Sequence, residues 1–280
     1  MDWSIVQFLL PAIAATLIIA GIHAYLGLHV VERGVIFVDL SLAQIASLGA
    51  AIGVWQGFDP SEPAISWMSL AFTLIGALIF AVVKDRDANI PQEAIIGITY
   101  AVASAAVILA MSQATGEAEH LRDMLVGNIL SVQWPEVWLT AIIYLAIGLF
   151  HWVFRARFLA ISLDPARVAA SGVSVRFWDF LFYASFGLVV TRSVAIAGVL
   201  LVFCYLIVPS VGAMLYARTI GARLTVGWAM GLLVSILGMY FSVLFDLPTG
   251  ATIVCTFGLV LAVMAAVRPL IRRPPPPLHA

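Results

Sequence analysis

The sequence predicts an all-α, polytopic helical membrane protein. It reads as about eight or nine transmembrane helices, with the N-terminus outside and the C-terminus cytoplasmic. Three observations predict it. Of 280 residues, 63% are hydrophobic and 10% are charged, with a mean hydropathy of +1.08; soluble globular domains do not have that balance. The apolar residues fall in runs near the roughly 20 residues a helix needs to cross a bilayer. Lys and Arg collect between alternate runs, as cytoplasmic segments do.

The first span is read at about residues 5–28, with His23 near its inner end. The opening MDWSIVQFLL lacks the basic region of a cleaved signal peptide, and its apolar stretch is long enough to stay in the membrane. A turn near 29–34 holds Arg33. The second span, about 36–57, carries Asp39 roughly a turn into the helix. Gln44 lies five residues on, about 140° around the helix, so it does not share one tight face with Asp39. Gln44 and Ser47 do share a face, at a spacing of three. An ionisable group inside a bilayer is costly and needs a reason. Two readings are open. Either His23, Asp39 and Gln44 line a cation pathway, or Asp39 sits at the interface paired with Arg33 and His23 is a satisfied helix–helix histidine. Gly49 and Gly53 mark close helix packing.

The third and fourth spans, about 64–83 and 92–112, flank an inner segment with Lys84 and Arg86. Glu93, just after Pro91, suits the positive end of a helix dipole, and Asp179 has the same explanation later in the chain. The outer loop, about 113–134, is too short to fold alone. It holds Glu117, Glu119, His120 and Asp123. Glu119 and Asp123 stand four apart, a spacing that can hold a hard or borderline cation, though a solvated loop has the same composition.

After a fifth span at about 135–154 comes RARFLAISLDPARVAASGVSVR, residues 155–176. It carries Arg155, Arg157, Arg167 and Arg176. Inside it lies a short helix with standard start and stop chemistry: Asp164 as N-cap, Pro165 at the first helical position and Gly172 as terminator. Such a helix docks a cytosolic partner, or is an ordinary interfacial loop helix. The sixth span, about 177–191, is short, and only Thr191-Arg192-Ser193 separates it from the seventh, about 193–216. The pair reads as two spans or as one bent or re-entrant unit. The eighth and ninth spans are placed at about 225–244 and 249–267. Gly227 and Gly231 in the eighth repeat the packing spacing of Gly49 and Gly53. Residues 1–273 form one transmembrane domain, and 274–280 a Pro-rich, disordered tail.

With nine spans and a cytoplasmic C-terminus, the inner segments hold twelve of the fourteen Lys and Arg, and the outer segments only Arg122 and Arg192. The tryptophans, among them Trp3, Trp55, Trp67, Trp134 and Trp138, fall near span ends, as interfacial anchors do. Cys204 and Cys255 both lie in apolar runs, so they read as small buried hydrophobes, with no disulfide framework and no thiolate zinc site. A net charge of −1 gives no reason to expect nucleic acid. No GxxxxGK[ST], HExxH or GxSxG occurs, so no enzymatic chemistry has a visible home.

Four segments in order resemble the permease subunits of bacterial metal-ion ABC importers of the zinc, manganese and iron type. They are LVGNILSV (125–132), LDPARVAASGVSV (163–175), VAIAGVLLVFCYLIVPSVGAMLYARTIGARL (194–224) and FDLPTGATIV (245–254). The resemblance covers nearly the whole chain. It implies a multi-pass protein of the bacterial cytoplasmic membrane, set in lipid and paired as a homodimer around a pore. It implies separate cytosolic ABC ATPase subunits, an extracytoplasmic metal-binding protein, and a transported divalent metal ion, with no cofactor bound by this chain. It also gives Asp164, Pro165, Arg167 and Gly172 a place in the coupling helix that sits in a groove of the ATPase.

The family's second span carries an Asp followed four residues later by a His. Here Asp39 is followed at that spacing by Ala43. Aligning on the later glycines puts Gln44 at the His position and Leu40 at the Asp position. Either way one ligand is absent, and Gln is a weaker ligand than His for a borderline metal. The rival class is a secondary transporter driven by an ion gradient, with ionisable residues near the midplane and inverted repeats. No clear repeat is seen, and Asp39 is not near the midplane. A structural membrane protein would need neither a capped docking helix nor a polar residue in a span.

Overall fold

The computed structural model describes residues 3–59, 62–83, 91–112 and 129–271. Eleven α-helices and one 3₁₀ turn account for nearly all of them. The helices are α1 (Trp3–Arg33), α2 (Val38–Trp55), α3 (Pro63–Val83), α4 (Gln92–Met111), α5 (Trp134–Val153), α6 (Arg155–Leu163), α7 (Pro165–Ala170), α8 (Val175–Ala197), α9 (Val199–Tyr216), α10 (Ile220–Phe245) and α11 (Thr249–Ile271), with the 3₁₀ turn at Ile129–Ser131. Among the described residues, nine helices are long and apolar enough to cross a membrane: all except α6 and α7. The all-helical class and the nine candidate spans therefore stand as the sequence predicts.

Half or more of the best apolar window is buried in α1, α2, α8 and α9, which form the centre of the bundle. α2 packs on α3 and α4, α3 on α8, and α1 on α9 and α10, while α9, α10 and α11 pack on one another. Small residues set the close approaches. A Cβ on Gly49 would meet the Met68 carbonyl oxygen at 2.6 Å, and one on Gly53 would meet Ile65 Cδ1 at 2.6 Å, so α2 lies directly on α3. Gly227 and Gly231 face Ala24 and Ala20 of α1. Both glycine pairs thus pack as the sequence predicts.

The sixth span differs from the sequence expectation. α8 runs unbroken for 23 residues to Ala197, through Thr191-Arg192-Ser193. The break falls at Gly198, whose φ of +79° is the left-handed conformation that glycine adopts without a side-chain penalty. The polar triplet stays helical because its neighbours satisfy it. Thr191 Oγ1 lies 3.0 Å from Thr73 Oγ1 of α3, Arg192 Nε donates to Thr140 Oγ1 of α5 at 3.2 Å, and Ser193 Oγ is bonded to Tyr144 Oη of α5. The cysteines also differ: Cys204 is half-buried and Cys255 exposed. Trp55, Trp67, Trp134 and Trp138 are exposed near span ends, where amphipathic rings belong.

The tightest approach gives the first test. A Cβ at Gly27 of α1 would collide with the backbone carbonyl oxygen of Leu206 in α9, whereas one at Gly97 of α4 meets nothing within 4 Å. Gly27→Ala should destabilise the detergent-purified protein by ~1–3 kcal/mol, the usual cost of overpacking, and Gly97→Ala should stabilise it by up to ~1 kcal/mol. Thermal unfolding followed by size-exclusion chromatography reads both, and equal melting of the two variants would contradict the α1–α9 packing.

Candidate functional site

The short helix predicted from sequence is present. α7 spans six residues with Pro165 first. Asp164 Oδ1 accepts the Arg167 N–H at 3.0 Å, which satisfies one of the donors a helix start leaves open. At the other end the Gly172 N–H reaches the Ala169 carbonyl at 3.0 Å, with Gly172 at φ +79°. Between Asp164 and Gly172 only Val168 is even half-buried. α7 is therefore held by its caps and by its two flanks, and it presents its outer surface to whatever lies beyond the bundle.

Those flanks are fixed by a polar cluster that the sequence reading missed. Arg33, at the end of α1, forms an ion pair with Asp179 of α8, and both side chains are 1% exposed. Arg33 Nε also donates to Ser162 Oγ of α6 at 2.9 Å, and its guanidinium carbon lies 4.0 Å from the centre of the Phe182 ring. His29 Nδ1 lies 2.8 Å from the same serine oxygen. Beside it, His151 of α5 stacks on Phe158 of α6 and its Nε2 lies 2.8 Å from Ser185 Oγ of α8. One arginine thus joins α1, α6 and α8, the two elements either side of α7 included. Asp179 is not merely an acid at a helix start, and the Asp39–Arg33 pairing is overturned because Arg33 is engaged with Asp179.

Asp39 lies in the first turn of α2 and is 1% exposed, with Oδ1 buried and without a hydrogen-bond partner. Glu93, opening α4, accepts the Phe37 N–H through Oε1 at 3.1 Å and so caps α2 from a neighbouring helix, while its Oε2 is buried and unpartnered. The helix-dipole explanation for Glu93 is thus only part of its role. Gln44 is half-buried, and so are Leu40 and Leu48, four residues to either side, so α2 has one stripe less covered than the rest with Gln44 in its middle. Asp39 belongs to the other, buried face. Ser47 is buried and returns its hydroxyl to the Ala43 carbonyl at 2.8 Å.

His23 is fully buried in α1. Its Nδ1 lies 2.9 Å from the Ile19 carbonyl, its Nε2 has no partner, and its ring centre is 6.5 Å from that of Tyr144 in α5. No hydrogen bond or ring contact joins it to Asp39 or Gln44. Among the described residues, no group of three or more His, Cys, Asp or Glu could hold a metal ion. Glu117, Glu119, His120 and Asp123 lie outside the described residues.

Comparison with known proteins identifies this arrangement. The model of the ABC 3 transport family matches residues 5–268. The manganese import system permease protein ScaB of Streptococcus gordonii is 26% identical over 263 residues, covering 94% of this chain and 92% of ScaB. The "Probable iron transport system membrane protein" of Haemophilus influenzae is 25% identical over 248 residues, covering 89% of each. The structure of PsaBC from Streptococcus pneumoniae in complex with Fab superimposes with a TM-score of 0.77 at 25% identity, covering 92% of this chain and 90% of that one. The chain belongs to the ABC 3 transport family. It is a multi-pass membrane permease subunit of a bacterial ABC transporter.

The polar cluster makes a direct prediction. Removing one partner of a buried ion pair leaves the other charge uncompensated, at a cost of about 3–5 kcal/mol. Arg33→Gln and Asp179→Asn should each lower the unfolding temperature sharply, and the double apolar variant Arg33→Met with Asp179→Leu should recover much of the loss. Asp39→Asn should not share this phenotype. Additive losses in the double variant, read by thermal unfolding, would contradict the pairing.

Proposed function

We propose that this member of the ABC 3 transport family is the permease of an importer for a divalent transition metal of the manganese and iron class. It works in the bacterial inner membrane as a homodimer, with cytosolic ATPase subunits on one side and an extracytoplasmic metal-binding protein on the other. The observation that carries the transport reading is the exposed, capped helix α7 at one end of a nine-span bundle. The metal class rests on relatives named for manganese and iron. The charge asymmetry supports placing α7 and the C-terminus in the cytoplasm. Membership of the ABC 3 transport family sets aside an ion-gradient-driven transporter, which also has no use for a capped docking helix.

In this reading the ion passes along the less covered stripe of α2, where Gln44 offers an amide oxygen. Asp39 lies behind the stripe with an unpartnered oxygen, and Glu93 has another. Their carboxylates lower the barrier for a cation that sheds water on entry. His23 supplies an imidazole from α1, which biases selection toward transition metals. The outer-loop residues Glu119, His120 and Asp123 are assigned to receiving the metal before it enters, from their sequence alone. Asp39→Asn keeps the size and removes the charge. Uptake of manganese and iron by a deletion strain expressing it should fall about tenfold or more. Even at a protein-like dielectric, a charge a few ångström from a divalent ion contributes more than ~1.4 kcal/mol. His23→Gln should change metal preference more than total rate. Normal uptake by a well-expressed Asp39→Asn protein would remove Asp39 from the route.

Asp164, Pro165, Arg167 and Gly172 are assigned to coupling with the ATPase. Loss of the Asp164 cap costs about 1 kcal/mol, enough to loosen a six-residue helix without unfolding the bundle. In the reconstituted complex, Asp164→Ala should hydrolyse ATP with reduced metal uptake per ATP. Ala170→Cys should react with an impermeant thiol reagent only after the membrane is opened, and Glu119→Cys from outside. Wild-type stoichiometry would refute the coupling role, and reversed labelling would refute the orientation.

A further inference from the structure

Two hollows meet along α1. One, of about 460 Å³, lies between the last turns of α1, the end of α6 and the start of α10, at the same end of the bundle as α7. The other, of about 710 Å³, is an apolar groove along α1, α5 and α10. Tyr25, Leu159 and Ile220 line both, so the two hollows adjoin as one slot-like surface, the first with its charged residues at one end and the second apolar along the rest.

The polar end is basic and rich in donors. Arg218 and Arg223 stand on its wall. Arg223 is bonded to Glu32, which lines the hollow as well, and to the Ala217 carbonyl at 3.3 Å. Arg218 is exposed and forms no ion pair among the described residues. His29 is only 2% exposed, yet its Nε2 has no partner, and neither has the buried hydroxyl of Tyr25. The tautomer of His29 follows from its neighbour. Ser162 Oγ accepts from Arg33 Nε and keeps its own proton to give to His29 Nδ1; in that tautomer the imidazole proton sits on Nε2 as a second unused donor. The exposed guanidinium of Arg218, with two unpartnered groups buried behind the same wall, fits an anion, and an oxyanion has the acceptors they lack.

The apolar part has a bare floor. Gly21 of α1, Gly148 of α5 and Gly221 of α10 all line it, and a Cβ built on any of them meets nothing within 4 Å. Its rim carries Leu145, Trp152 and Trp228, all exposed in membrane-spanning helices. Trp228 is held in place by its Nε1–H, which donates to the Gly21 carbonyl at 2.9 Å. An open channel lined by hydrocarbon, within the spans and ending at a cluster of donors, matches one class of molecule.

We propose that this slot binds one anionic phospholipid, with its phosphate among Arg218, Tyr25 and His29 and an acyl chain along the groove over the three glycines. Charge complementarity selects the headgroup: a zwitterionic lipid would bring an ammonium against the arginines. The adjacency of the two hollows selects a lipid over a free phosphate, which would leave the groove empty.

The test uses the full-length permease in detergent, with retained lipid read by native mass spectrometry. The probes are phosphatidylglycerol, phosphatidylcholine with the same chains, and inorganic phosphate. Wild-type protein should retain phosphatidylglycerol about fivefold or more over phosphatidylcholine, the worth of one basic side chain at an anionic headgroup. Arg218→Gln, at an exposed position, should erase that preference. Gly148→Phe, which fills open space, should reduce retention of both lipids, and inorganic phosphate should displace neither. Equal retention of the two lipids by the wild-type protein would overturn the proposal. So would displacement of phosphatidylglycerol by phosphate alone, which would make the hollow a phosphate site. A Gly148→Phe protein that changes its copy number in light scattering while keeping its lipid would also overturn it, because the groove would then be a contact between two copies of this chain. Thermal unfolding of both variants confirms that each is folded before the lipid is read.

Discussion

The arrangement of one end of the bundle depends on a single arginine. Arg33 terminates α1, and its guanidinium is taken out of water, which is costly for any ion. The structure offsets that cost with the Asp179 carboxylate, the Ser162 hydroxyl and the face of Phe182. Arg suits the position better than Lys would, because its planar fork can serve an acid, a hydroxyl and a ring at once. The consequence is mechanical. α7 buries nothing of its own, so its position is set by what holds α6 and α8. α6 is anchored by buried Phe158, Ile161 and Ser162, and α8 by buried Asp179 and Phe182. Arg33 touches the last of these on both sides. A displacement of α7 therefore reaches α1 through rigid, paired groups rather than through a loose loop.

The spans and the short helix were legible in the sequence for the same reason: both are local. Twenty apolar residues report a span whatever surrounds them, and Asp164, Pro165 and Gly172 specify a helix start and stop by chemistry within one turn of each end. Pairing over distance was not legible. Arg33 and Asp179 are 146 positions apart, and Asp39, six residues on, was the nearer candidate. The turn decides otherwise: Gly34 at φ +68° reverses the chain, and Asp39 is then buried on α2 while Arg33 closes onto α6 and α8. The extent of the sixth span failed for a related reason. An arginine flanked by two hydroxyl residues reads as a loop when its partners are unknown, and here Thr73, Thr140 and Tyr144, from two other helices, keep all three inside a continuous helix.

α2 separates two properties that one residue supplies in the family's pattern. The acid of the second span, Asp39, is on the buried face, and the polar residue on the less covered face is the neutral Gln44. The half-buried stripe runs through Leu40, Gln44 and Leu48. It therefore coincides with the alignment on the later glycines, in which Leu40 and Gln44 take the places of the acid and the histidine. A wall of that kind offers one amide oxygen where the family pattern offers a carboxylate and an imidazole. An amide is a weak ligand for a borderline metal, so in the proposed route a divalent ion at Gln44 is held less tightly and leaves more easily. In the proposed route, the negative charge that attracts the ion comes from behind the wall, from Asp39 and Glu93. If the ion takes the proposed route, that arrangement favours passage over capture and leaves metal selection to groups away from the stripe.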